Sequence, residues 1–377
     1  MTQFISIGNI KYPKSVGDKD FYELFGKLID ISGMLNYVDN LPVIPTYADE
    51  IKKDEKIKAI RGTTGIEGND LDESEIRKVL ENKGVSSLLE METINSASVH
   101  EFIISYCKDN PDEPISEPVI KQIHALNTKG IPHPNDHPGQ YRNFEINYGY
   151  PVKQAPLKTA SDIEAGMKEL VEWVNDENTG SFPCLSWVVK GILAHYAISR
   201  IHPFADGNGR TARAVEALIF CQKAKINDYC FYGIANYCYR NRNQYIEELS
   251  KVDASGDASD FLLFCITGFH ESIGYVKDKI TNVISELMFM DYAHELRRSG
   301  KITKKSIEVL DVLVKLREIA VPDYYKRFFT DRSSESKRRW LQKFLEFGLI
   351  TIDEKENKDT VILPNIDILK VVRRIVR

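Results

Sequence analysis

For almost three hundred residues the sequence repeats one pattern, apolar side chains returning every three or four positions. A chain written that way packs helix against helix. The segments FYELFGKLIDISGMLNYV (21–38), LDESEIRKVLEN (71–82), SLLEMETINSASVHEFIISYC (87–107), SDIEAGMKELVEWVN (161–175), LSWVVKGILAHYAISRI (185–201) and GRTARAVEALIFCQKA (209–224) all carry it. A further stretch leads toward Arg61, another runs from Pro111 to Asn127, and others continue to about Arg298. One interruption stands out. Residues 132–156 are rich in Pro, Gly, Asn and Tyr, and FEINYGYPV (144–152) reads as two short extended runs around a glycine, a hairpin or flap.

Composition narrows the class. The 377 residues are 42% hydrophobic and 28% charged, values that exclude a disordered chain or a coiled-coil rod and leave room for two or three domains. No run approaches the roughly 18 apolar residues a bilayer requires, and the first fifteen residues lack both the basic and the apolar part of a signal peptide, so no membrane association and a cytoplasmic address are expected. The six cysteines, Cys107, Cys184, Cys221, Cys230, Cys238 and Cys265, are too sparse for a disulfide scaffold and read as buried thiols.

Charge is distributed unevenly. Residues 297–377 carry 20 Lys and Arg against 12 Asp and Glu, a net +8, whereas residues 1–296 sum to −13. The tail reads helix (KKSIEVLDVLVKL), turn, helix (DYYKRFF), turn, helix (SSESKRRWLQKFLEFG), then two extended runs, LITI and TVILP, which suggests a winged helix. Lys337, Arg338 and Arg339 at the start of its third helix suit phosphate contact and hence DNA. The same pattern also serves a module that packs on a partner protein or a second copy of the chain.

The run IHPFADGNGRTAR (201–213) carries the chemistry. It joins two helical patterns, so a loop followed by a helix start is expected, and a helix start gathers unpaired N–H groups and the positive end of the macrodipole. Gly207 and Gly209 permit close backbone approach to a phosphate. Arg210 and Arg213, three apart on one face, can reach one polyphosphate with forked donors. Asp206 can hold a divalent cation through oxygen, and His202 has the ring suited to a general base near neutrality. Together these groups spell phosphoryl or nucleotidyl transfer.

HPFADGNGRTAR (202–213) fits H-x-F-x-(D/E)-G-N-G-R-x-x-R at every fixed position and resembles the Fic (filamentation induced by cAMP) family. The resemblance covers about residues 20–290. PGQYR (138–142), with the extended segment after it, looks like the family's flap, with Tyr148, Gly149 and Tyr150 as its candidate contacts. Tyr245-Ile-Glu-Glu-Leu249, followed by Gly256-Asp257, is similar to the downstream Y-Y-x-x-L helix, with Ile246 in place of the second aromatic.

The resemblance implies a mainly α fold: a Fic-type helical core with a small β-hairpin flap, beside the winged-helix-like tail. It implies transfer of AMP from ATP, with Mg2+, to a Ser, Thr or Tyr hydroxyl of a target protein. His202 would be the base and Asp206 the magnesium ligand. Gly207, Asn208 and Gly209 would form the anion hole, and Arg210 and Arg213 would hold the β and γ phosphates. Phe204 would anchor the loop, while Tyr148, Gly149 and Tyr245 would face the nucleotide. TTGIEG (63–68) matches the family's inhibitory pattern (S/T)-x-x-x-E-(G/N), which implies that Glu67 reaches Arg213 and blocks the γ-phosphate. In some relatives that glutamate also drives removal of AMP. A homodimer is implied as well. The expected division is an N-terminal helical region with the inhibitory motif (1–110), a catalytic core (111–295) and the winged-helix-like domain (300–377). A nucleotide-sensing, DNA-binding regulator is the competing expectation, and a donor other than ATP is a third.

Overall fold

The computed structural model describes residues 6–14, 18, 20–40, 45–82, 84–133, 135, 137–149, 153–177, 185–224, 233–330, 333–355 and 360–367. Tyr150, Cys184 and Cys230 lie outside them. Of the other cysteines, Cys221, Cys238 and Cys265 are buried thiols, and Cys107 is only half-buried. The fold is mainly α, and its chain divides into two compact units, 1–277 and 278–377.

The first unit runs through α1 (Phe21–Asp39), α2 (Pro45–Ile66), α3 (Glu73–Asn82), α4 (Leu88–Asp109) and α5 (Glu117–Asn127). A short hairpin follows, β1 (Asn147–Tyr148) and β2 (Lys153–Gln154), antiparallel with Asn147 opposite Gln154 and Tyr148 opposite Lys153. Then come α6 (Ala160–Asn175), α7 (Ser186–Ile201), α8 (Asn208–Ala224), α9 (Gly233–Arg240), α10 (Arg242–Ser255) and α11 (Ser259–Arg298), within which the division between the units falls.

One local departure from the sequence reading has a plain cause. The helix expected from Pro111 begins only at Glu117, with Pro118 in its first turn, where proline's missing N–H has no intrahelical partner to lose. In the flap, β2 is Lys153–Gln154, and residues 150–152 of the expected second run lie outside the described residues.

At the centre lies α7, buried on almost every face, with Val188, Ile192, Leu193 and Ile198 fully enclosed. A helix apolar all round belongs in a core rather than on a surface. Close approach is bought by glycine at two crossings. A Cβ on Gly191 would lie 2.5 Å from the Phe220 ring of α8, and one on Gly62 would lie 2.5 Å from the backbone of Ala235 on α9. Ile57 and Ile60 of α2, Ile76 of α3 and Ala97 of α4 form a separate small core.

The second unit contains α12 (Lys304–Leu316), β3 (Ile319–Ala320), α13 (Val321–Phe328), α14 (Ser334–Glu346), β4 (Ile350–Glu354) and β5 (Thr360–Pro364). Its sheet is antiparallel in the order β3-β5-β4. The sequence reading had only a turn where β3 lies, because a two-residue strand carries no period. Leu310, Leu313, Tyr324, Phe329, Phe344, Ile350 and Ile362 make the unit's own core, and Thr303 starts α12 with a capping box to Ser306. No helix among the described residues is long and apolar enough to cross a membrane.

The glycine crossing gives a stability prediction. Gly62→Ala should lower unfolding free energy by about 1–3 kcal/mol, since its methyl group meets backbone that has no rotamer to change. Gly26→Ala on α1, with nothing within 4 Å of its Cβ position, should raise it by about 0.5–1 kcal/mol. Urea unfolding midpoints of the two variants against the parent test both.

Candidate functional site

Helix α7 ends at His202, whose backbone turns left-handed at φ 51° and ψ 58°, a conformation that costs a residue with a Cβ and must be held by its surroundings. Arg142 holds it. Its buried guanidinium donates from Nε to the His202 carbonyl at 2.7 Å, from Nη1 to Phe144 at 2.6 Å, and from Nη2 to Leu157 at 2.7 Å and Ile201 at 3.3 Å. Its backbone N–H donates to the Pro203 carbonyl at 2.8 Å. One cation thus ties the end of α7 to the chain on either side of the flap. Burial lowers its pKa from the usual arginine value.

The loop after His202 rests on His124 of α5. The His124 ring lies face to face on Phe204, with centroids 3.8 Å apart and planes 4° from parallel. Nδ1 accepts from the Gly139 N–H at 2.9 Å, so Nε2 carries the proton and donates to the Asp206 carbonyl at 2.9 Å. Both partners are backbone groups distant in the chain. Asn208 closes the loop, its Oδ1 accepting from Phe204 N–H and its Nδ2 donating to the Phe204 carbonyl, both at 2.8 Å. Its side chain is therefore committed to the loop, leaving its amide to face an anion. Gly207, at φ 71°, has no room for a Cβ, which would lie 2.8 Å from Thr128 Cγ2.

His202 Nδ1 lies 3.1 Å from the Ser199 carbonyl. A carbonyl only accepts, so Nδ1 bears the proton and Nε2 keeps its lone pair. Burial drives the pKa of His202 down to about 4; the Ser199 carbonyl, Glu67 and Asp206 pull it upward, and Arg142 adds to the depression. The ring is neutral at pH 7, as a proton acceptor must be.

Both motif arginines are buried and both are held by carboxylates. Arg210 donates to Asp206 Oδ2 at 3.1 Å and to Glu92 Oε1 of α4 at 3.3 Å. Glu92 in turn accepts from Asn69 Nδ2 at 3.0 Å. Arg213 donates from Nη2 to Glu67 Oε1 at 2.7 Å and to the Thr63 carbonyl at 3.0 Å, and from Nε to Thr63 Oγ1 at 3.0 Å. Burial acts to lower the Arg213 pKa, but Glu67 and Tyr245 hold it above the ordinary value. The Glu67 carboxylate also sits against Gly209, where a Cβ would collide with its Oε1.

A cavity of about 410 Å³ opens here, lined by Glu67, Tyr148, His202, Gly209, Arg213, Tyr245 and Leu249 among others. The structure therefore brings His202, Gly209, Arg213, Glu67, Tyr148, Gly149 and Tyr245 to one cavity wall, with Asp206 and Arg210 joined to each other beside it. Tyr148 stands over the His202 ring at 4.8 Å, accepts from Arg200 Nη1 at 2.7 Å and donates to Asp253 at 3.3 Å; burial pushes its phenol up to about 12. Lys153 on β2 reaches the same Asp253 at 3.2 Å, and Tyr196 donates to it at 2.9 Å. Both flap strands are thus pinned to one carboxylate on α10. Sequence reasoning missed Arg142, Arg200, Glu92 and Asp253. A charged residue inside the apolar pattern of α7 was a usable signal for Arg200.

Asp206 has the donor chemistry for magnesium. Its side chain is 41% exposed, and among the described residues no group of three or more His, Cys, Asp or Glu forms a protein cage. A single accessible carboxylate beside an anion cradle suits an ion that takes its other ligands from phosphates and water.

Comparison with known proteins follows this geometry. Residues 114–220 match the family model described as Fic/DOC family. The chain is 28% identical over 163 residues to "Protein adenylyltransferase Fic" of Drosophila ananassae, covering 43% of this chain and 31% of that protein. It is 25% identical over 214 residues to the protein of the same name from Drosophila yakuba, covering 56% and 40%. The chain thus spans about a third of the length of the curated relatives it matches. Among solved structures, a Fic family protein from Desulfovibrio desulfuricans G20 superposes over 94% of this chain and 98% of its own, with TM-score 0.56 at 18% identity. Fic-1 from C. elegans superposes over 67% and 72%, with TM-score 0.56 at 23% identity. These likenesses are of fold.

The depressed His202 pKa predicts an acid-linked loss of stability. The unfolded ring takes its proton near pH 6.5 and the folded one only near 4, so its contribution is complete above 6.5 and is lost as pH falls toward 4. The sign follows from tighter proton binding by the unfolded state. The parent should lose up to about 3 kcal/mol more over that interval than His202→Gln, measured by urea unfolding at pH 7 and pH 4.5.

Proposed function

We infer, from the chain's membership of the Fic family and from the cradle at Glu67, that it is a protein adenylyltransferase whose resting form blocks itself. One observation carries the reading: a carboxylate occupies the guanidinium of Arg213 and lies against Gly209, the position where the terminal part of a polyphosphate would be bound.

The reaction follows from the groups at hand. The lone pair on His202 Nε2 takes the proton of a Ser, Thr or Tyr hydroxyl on a target protein. The hydroxyl oxygen attacks the α-phosphorus of ATP, the bond from that phosphorus to the bridging oxygen breaks, and pyrophosphate leaves. The amides of Gly207, Asn208 and Gly209, at the opening of α8, face the charge that grows on the phosphate oxygens. Arg213, and Arg210 once it leaves Glu92, hold the β and γ phosphates. Magnesium, held by Asp206, would neutralise phosphate charge. The flap, pinned through Tyr148 and Lys153 to Asp253, would present the target segment across the His202 ring. Glu67 blocks this by taking the Arg213 donors, and a misplaced α-phosphate costs orders of magnitude in rate.

The second unit is read as a winged-helix-like module on its order of helix, strand, two helices and two strands. Lys337 lies near the Tyr325 ring and Arg339 makes a solvent-exposed pair with Glu335, contacts that leave both cations at the surface. We read the unit as an accessory to the transferase, with DNA contact through these cations as the alternative. The division 1–110, 111–295 and 300–377 is retained as the functional one.

Glu67→Gly should raise AMP transfer, including self-modification, by about 10²-fold, read as the gain of one AMP in intact mass after incubation with ATP and magnesium. Adding His202→Ala should lower that rate by about 10²–10⁴. Equal labelling of Glu67→Gly and the parent would remove the brake, and undiminished labelling without His202 would remove the base. In Glu67→Gly the acid limb of the transfer rate should lie below the ordinary histidine value, because burial of the His202 ring disfavours its protonation.

A further inference from the structure

Beneath the cavity floor lie two buried ionisable side chains that AMP transfer, as derived above, leaves unused. His195 of α7 is fully enclosed and Glu216 of α8 nearly so. Both ring nitrogens of His195 are engaged. Nδ1 lies 2.6 Å from Glu216 Oε2, and Nε2 lies 2.8 Å from the Tyr245 hydroxyl. That hydroxyl and the Arg213 guanidinium line the same cavity, close enough for each to shift the proton affinity of the other.

The protons run one way. A carboxylate only accepts, so Nδ1 carries hydrogen and donates to Glu216. Nε2 then accepts the phenol proton, so toward a guanidinium that can only donate the phenol oxygen is left as an acceptor. Tyr245, His195 and Glu216 thereby each donate to the next, and each polarises its neighbour.

An apolar core does not hold a histidine and a glutamate without cost. What they supply becomes apparent when Glu67 is withdrawn. The resting Arg213 is held by Thr63 and Glu67, both on the inhibitory segment. A nucleotide that displaces the segment removes these contacts together; its phosphate replaces the charge of Glu67 but not the acceptors that fixed the direction of the guanidinium.

We propose that Glu216, His195 and Tyr245 form a positioning relay that keeps the Arg213 guanidinium aimed at the terminal phosphate of the nucleotide after Glu67 has left. The inference rests on the reading of Arg213 as a phosphate ligand. Tyr245 supplies a rigid acceptor, since its ring is packed between Phe261 and Phe264. His195 fixes the direction of that hydroxyl, and Glu216 fixes the imidazole while supplying a remote negative charge. None of the three needs to touch the reacting atoms.

The test uses the full chain carrying Glu67→Gly and reads binding of ATP and of AMP by calorimetry, with thermal unfolding alongside. Arg213→Ala is the reference, and should weaken ATP while leaving AMP, which has no terminal phosphates, within about twofold. Tyr245→Phe removes one oxygen and should do the same, weakening ATP about tenfold, the loss expected for one hydrogen bond to a charged group. Glu216→Gln, which keeps an acceptor but not the charge, should weaken ATP in the same selective way by a smaller factor. If Arg213→Ala discriminates between the nucleotides while Tyr245→Phe weakens both equally, or neither, the relay is overturned and the phosphate assignment stands. If Arg213→Ala itself fails to discriminate, the phosphate assignment is overturned and the relay falls with it.

Discussion

A guanidinium buried at the start of a helix must have an anion beside it, and most of what surrounds Arg213 answers that requirement. The positive end of α8 adds to the demand. In the resting chain the anion is Glu67, 2.7 Å away, with Thr63 supplying two further acceptors. On the proposed reading the anion in the working state is a phosphate, and the two compete for the same donors. Inhibition and catalysis are then alternative occupancies of one electrostatic site, with no separate regulatory pocket needed to relate them.

Such a site is useful only if its frame is rigid. The loop 202–207 has no regular secondary structure, yet almost every polar atom that shapes it is answered. Arg142 secures the carbonyls on its entry side, His124 takes the Asp206 carbonyl, and Asn208 bonds both polar groups of Phe204. These are charge-assisted or buried hydrogen bonds, stronger than their exposed equivalents. They hold His202 in a left-handed conformation that an isolated peptide would leave, and they keep its Nε2 exposed to the cavity.

The helices were legible because amphipathic periods are local, and the bounds read for α1 and α7 fall within a residue of those observed. The motif from His202 to Arg213 was legible because a loop between two helices concentrates its chemistry within one turn. Glu67 was legible only as a pattern, since nothing near it in sequence shows which cation it meets. His124 and His195 were not legible as more than core residues. Each gets its role from partners between 15 and 82 positions away, and a single histidine says nothing about which of its nitrogens will donate. Arg142 lay in a segment already singled out as the flap, but four backbone carbonyls leave no mark in a sequence. The strand Ile319–Ala320 was lost because two residues cannot display alternation.

On the proposed reading of Glu67 as a brake, its strength would not follow from the ion pair alone. The Glu67 side chain is 40% exposed, and a salt bridge so open to solvent contributes about 1 kcal/mol or less when its partners are free to separate. What would make it a competitor for a nucleoside triphosphate is its mounting. Gly62 and Gly65 allow α2 to press directly on α9, where the Tyr239 ring covers Gly65. Arg242 donates to the Ile66 carbonyl at 2.9 Å, and Asn69, two residues beyond Glu67, bonds the carboxylate that also holds Arg210. The segment 62–69 is thereby fastened on both sides of Glu67, and the carboxylate meets Arg213 at the high effective concentration of an intramolecular ligand. Because Asn69 and Arg210 share Glu92, the same fastening connects the two arginines through one helix end. On the proposed reading, relief of inhibition would therefore come from loosening the seat of α2, which would lower that effective concentration without altering a donor around Arg213.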